Sequence, residues 1–178
     1  MTPPNTSRPP LLIVIAAAIL FIVLAVLEVM AGHATAFGGG PAAAWTVHVR
    51  QVDDALAKRD VGAAERAWRD AYAAAVASRR WEGMLEVGDA ARRVGEVASA
   101  RMTADARARG AYRAALFQAR QQKSLDGVLR TAEAFAALGD REVVAQCLRI
   151  AEHLATEARD PQASERVSTL SERLTTNH

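Results

Sequence analysis

The chain has 178 residues, 22 Lys and Arg against 20 Asp and Glu, a net charge of +2 and a sequence pI near 9.1, with aromatics at only 5%. That balance is too weakly basic for a nucleic-acid binder, and stacking platforms for bases or sugars are scarce. A lone cysteine, Cys147, excludes an intrachain disulfide framework and a multi-cysteine zinc site.

Mean hydropathy near zero is an average over two unlike parts. Residues 1–10, MTPPNTSRPP, hold four prolines and one cation, Arg8, and read as a disordered leader. Residues 11–31 follow, without a polar or charged side chain from Leu11 to Leu27. At about 1.5 Å per residue the stretch reaches roughly 30 Å, the thickness of a bilayer's hydrocarbon core. It predicts a transmembrane helix acting as a signal anchor, with Glu28 at its interfacial end. The alternative is a signal peptide cut after Ala36, since Ala34-Thr35-Ala36 fits the small-residue cleavage pattern. Arg8 lies before the apolar run and no Lys or Arg appears after it until Arg50, so charge bias predicts a cytoplasmic N-terminus and an extracytoplasmic C-terminal domain. That is the topology of a single-pass inner (cytoplasmic) membrane protein, with the lipid bilayer as the partner of residues 11–31. Residues 32–41, with Gly38-Gly39-Gly40-Pro41, read as a flexible linker and lack the features of a phosphate loop.

Residues 42–178 read as helix after helix. Trp45, Val49, Val52 and Leu56 form one apolar stripe over 42–58. Asp60 and Gly62 mark a turn. Ala64, Ala67, Trp68, Ala71, Tyr72 and Ala75 share a face of 63–78. A third helix runs from Trp81 to Val94 and is closed by Gly95, and 97–122 predicts one long helix. Ser124 is the expected N-cap of 125–138 and Gly139 its C′ residue. A helix over 141–158 precedes Asp160-Pro161, which opens a last helix to about Leu174. The expected class is all-α.

The chain repeats itself. Shifted by 44, Trp81-Glu82-Gly83-Met84-Leu85 overlies Leu125-Asp126-Gly127-Val128-Leu129, and Val94-Gly95-Glu96 overlies Leu138-Gly139-Asp140; shifted by 36, Asp60 overlies Glu96. Turns at Arg59-Asp60, Gly95-Glu96 and Gly139-Asp140 would each divide a helix pair. These units resemble tetratricopeptide (TPR) repeats. The first matches with Asp60, Ala64, Trp68 and Ala71. The third matches with Ala132, Phe135, Gly139, Asp140, Leu148 and Ala151, Val144 replacing an Ala. The second matches with Gly88, Ala91 and Ala100, then departs at Arg107, where a small residue is expected, and the proline that usually closes each unit is missing. The resemblance implies a TPR-like right-handed α-solenoid of about three helix pairs, capped by the 160–174 helix, with a scaffold or adaptor role.

Side chains that could carry chemistry are few. His33, His48, His153 and His178 are scattered and make no metal-binding pair; His33 reads as an interfacial residue. Cys147 reads as core, as do Trp45, Trp68 and Trp81. No catalytic, cofactor-binding or metal-binding residue is expected, and no cofactor. The one asymmetry is charge: residues 96–123 hold six cations and two acids, whereas 124–178 hold six and nine. Arg101, Arg109, Arg113 and Arg120 form a candidate basic stripe, for an acidic protein partner or anionic headgroups or simply for solvent. The reading is a membrane-anchored, non-enzymatic protein–protein interaction scaffold, in the assembly of a cell-envelope complex. Its alternatives are an accessory subunit of an envelope enzyme, a secreted form after cleavage at Ala36, and a self-associating spacer.

Overall fold

The computed structural model describes residues 43–176. The predicted leader, membrane helix and linker lie outside the described residues. Among the described residues no helix is long and apolar enough to cross a membrane.

From Ala43 the chain is all-α, and no strand occurs among the described residues. Seven helices follow one another: α1 (Ala44–Ala57), α2 (Val61–Ser78), α3 (Trp81–Val97), α4 (Arg101–Gln121), α5 (Leu125–Ala136), α6 (Arg141–Ala158) and α7 (Pro161–Thr176). Local chemistry sets several boundaries. The Asp60 carboxylate accepts the Ala63 N–H at 2.8 Å to open α2, Ser124 Oγ accepts the Gly127 N–H at 3.0 Å to open α5, and Asp160 accepts the Gln162 N–H at 2.9 Å to open α7. Every turn between helices holds one left-handed residue: Arg59, Arg79, Ser99, Lys123, Gly139 and Arg159.

Each helix packs on its neighbours in sequence, and α1, α3, α5 and α7 also pack one on the next. The first helices of the pairs therefore form a continuous layer, while α2, α4 and α6 are set apart on its other side. Alanines let the pairs close: Ala71, Ala75, Ala108, Ala111, Ala115, Ala119, Ala151 and Ala155 are all buried, between larger anchors such as Trp81, Tyr112 and Phe135. A smaller cluster of Val52, Ala55, Ala64, Ala90 and Val94 seals the first two pairs.

The second pair departs from the expected turn. α3 runs through Gly95 to Val97, the chain reverses at Ser99, and α4 starts at Arg101 rather than at 97. Gly95 ends nothing; it is buried, and a Cβ there would overlap the Ala104 methyl. The physical reason is length. Core-facing positions of the second helices, buried or half-buried, fall in register as Ala64, Ala108 and Val144, then Trp68, Tyr112 and Leu148, then Ala71, Ala115 and Ala151, with steps of 44 and 36. The longer step holds eight extra residues, which lengthen each arm of the α3–α4 hairpin by about one turn. Arg107 is therefore not a failed small position: Ala108 occupies that place, buried at 0% exposure.

Ion pairs tie the first-helix layer together. Asp53 of α1 pairs with Arg93 of α3 at 2.9 Å, and Asp126 and Glu133 of α5 pair with Arg166 and Arg173 of α7. The α3–α5 junction lacks this rung because Ala137 stands in register with Arg93 and Arg173. Asp89 there accepts the Tyr112 hydroxyl at 2.5 Å instead.

Candidate docking groove

α4 presents a seam of alanines to the core, and its other faces carry its arginines. The four residues of the predicted stripe do not act as one set. Arg101 is the exposed first residue of α4, on the lengthened hairpin tip. Arg109 is committed: its guanidinium donates to both Asp140 oxygens, at 2.7 and 3.1 Å, holding the α5–α6 turn against α4. Asp140 raises the guanidinium's pKa above its ordinary value, chiefly through that hydrogen bond. Arg113 and Arg120 are exposed and, among the described residues, pair with no carboxylate.

Those two arginines border a groove between α4 and α6. One hollow, of about 570 Å3, is lined by Arg120 of α4, by Lys123 of the turn after it and by Gln146, Arg149, Ile150, His153, Leu154 and Glu157 from α6. A second, of about 420 Å3, lies farther along the same two helices, between Arg109 and Arg113 on one side and Arg141, Glu142 and Val143 on the other. Lys123 and His153 reach Glu157 at 3.5 and 3.4 Å. Arg113, Arg120, Arg141 and Arg149 make no ion pair among the described residues, and Glu142 is the acid left facing them. Phe117, four residues after Arg113 and three before Arg120, is 60% exposed.

Arg149 escapes sequence reading, and His153 reads there only as a scattered histidine, because both belong to a stretch with net negative charge and join the α4 cations only through packing. The exposed Phe117 had a visible signal, an aromatic between two stripe arginines. His153 is exposed at the rim of the first hollow, against Glu157. Cys147 lies in the core beneath the groove, and burial pushes its thiol up to about 12. Trp45 and Trp81 are buried and Trp68 half-buried; Trp45 Nε1 donates to Glu86 at 3.0 Å and Trp68 Nε1 to the Val87 carbonyl at 2.9 Å. Among the described residues no group of three or more His, Cys, Asp or Glu is placed to hold a metal ion.

The arrangement offers a long polar trough with an apolar floor and fixed positive charge, and it suits recognition of a chain segment. No protein-family model matches the chain, and no curated protein or solved structure is significantly similar to it.

Proposed function

We propose that this protein is a membrane-anchored scaffold that presents a TPR-like right-handed α-solenoid on the far side of the cytoplasmic membrane and docks protein partners there. The solenoid would consist of the pairs α1/α2, α3/α4 and α5/α6, with α7 as the cap that covers the last pair. One observation carries the reading: helix pairs stack only on their neighbours and leave an open groove between α4 and α6, with four arginines uncommitted to any acid among the described residues. Stacks of this kind expose long surfaces that take extended or helical segments of other proteins. The apolar stretch 11–31 supplies the anchor in this reading.

The test is affinity capture of the full-length tagged protein from its native membrane, with mass spectrometry of what accompanies it. A reproducible protein partner is expected. Recovery of the protein alone, or only of further copies of itself, would remove the scaffold reading. A reporter fused after His178 fixes the side of the membrane, and activity on the cytoplasmic side would reverse the proposed topology.

A further inference from the structure

The groove between α4 and α6 is open for a reason that the neighbouring groove, between α2 and α4, makes plain. There, Arg107 of α4 lies 5.0 Å above the Trp68 ring and reaches Glu65 at 3.0 Å, and the Gln122 amide donates to the Arg79 carbonyl at 2.9 Å. Those side chains plug the space. In register, the place of Arg107 is taken in the next groove by Val143, that of Glu65 by Arg109, and that of Trp68 by Tyr112. Val143 is too short to cross. Arg109 is turned to the Asp140 turn. Tyr112 is fully buried, with its ring over Gly88 and its hydroxyl on Asp89. Arg109–Asp140 closes one end and Lys123–Glu157 the other. The middle keeps half-buried Ile150 and Leu154 as its floor, under Arg120 and Arg149.

We propose that this groove binds an acidic, amphipathic segment of a partner protein, its apolar side chains on Ile150 and Leu154 and its carboxylates on Arg113, Arg120 and Arg149. Exposed Phe117 adds an apolar contact at the rim. Charge complementarity selects the acidic side of the partner. The recessed floor selects a protein segment over a bilayer, since flat headgroups reach the rim arginines but leave the floor uncovered. The proposal rests on the scaffold reading and narrows it to one surface and one chemistry.

The experiment places a photo-crosslinking residue at Gln146, exposed in the groove, in the full-length chain in its native membrane. A second variant carries it at Gln162, exposed between α5 and α7 on the first-helix layer. The expected result is a Gln146 adduct on a net-acidic segment with apolar residues three and four apart. Its yield should fall about tenfold or more in R120E/R149E and persist in R120K/R149K. Both arginines are exposed and, among the described residues, unpaired, so thermal unfolding of the charge-reversed chain should match the parent. An adduct on phospholipid, on a second copy of this chain, or on a segment indifferent to R120E/R149E would overturn the proposal, as would no adduct at Gln146. Protein adducts at Gln162 with none at Gln146 would remove the groove and leave the scaffold; adducts at neither would remove both.

Discussion

The Arg107 guanidinium lies over the Trp68 indole, 5.0 Å from the ring centroid, and its Nη1 meets Glu65 at 3.0 Å. The side chain spans α2 and α4 and covers the half-buried face of the tryptophan. Replacing it by alanine is expected to cost about 1 kcal/mol, the range of a partly desolvated cation–π contact and an exposed ion pair together. Arg107→Lys should keep part of this, because an ammonium stacks less well than a planar guanidinium. Urea denaturation of the two variants checks the order. An R107A protein as stable as the parent would mean that the stack is incidental.

Two glycines should respond oppositely to a methyl group. Gly88 sits under the Tyr112 ring, and a Cβ there would overlap it; since Tyr112 is fixed by Asp89, the ring has little room to yield. Gly88→Ala should destabilise by about 1–3 kcal/mol, as overpacking of a tight core does. Gly110 is exposed in the middle of α4, with nothing within 4 Å of an added Cβ. Gly110→Ala should stabilise by about 0.5–1 kcal/mol through helix propensity alone. Thermal melts of the two variants should bracket the parent.

Residues 97–104 make up the lengthened part of the α3–α4 hairpin, and Met102 among them is 88% accessible. Deleting them would join Glu96 to Asp105 and leave Gly95-Glu96 in register with Gly139-Asp140, whose glycine holds φ at +75°. The shortened chain should fold and unfold cooperatively, with helical circular dichroism reduced by about two turns. Loss of cooperativity would show that the extra turns are needed by the rest of the stack.

Much of this was legible in the residues. Ser124, Asp60 and Asp160 announce helix starts through a side-chain acceptor placed to meet a free N–H, and Gly139 announces an end through its backbone freedom. The alanine spacing announces close helix packing. The turn at Ser99 was not legible, because Gly95-Glu96 carries the stronger local signal and only the packing of Gly95 on Ala104 overrides it. The groove was legible by half. The α4 arginines share a helix and so a spacing, but Arg149 and His153 reach them across a helix interface that no local pattern records. Arg109, grouped with the others by charge, is withdrawn from the set by an acid 31 residues away.

Stability should fall at alkaline pH by a route that names two groups. The Cys147 thiol, ordinarily near 9.0, is held by burial to about 12. Tyr112 is raised well above 10.0, first by burial and then by its hydrogen bond to Asp89. Both hold their protons more tightly in the fold than in the unfolded chain. Their contribution is complete below about pH 9 and shrinks as pH rises from there toward 12, by at most about 1.4 kcal/mol per pH unit for each group. Urea midpoints between pH 8 and 11 should decline, and Cys147→Ala should flatten the part that begins near 9. A thiol reagent should leave Cys147 unmodified until the protein unfolds.

Because each helix leans only on those one and two places away in the chain, damage should stay where it is made. A lesion in α1 has no direct route to the wall formed by α6, so a protein frayed at its start should keep its far end folded. Such insulation lets one region drift in sequence while another keeps its hold.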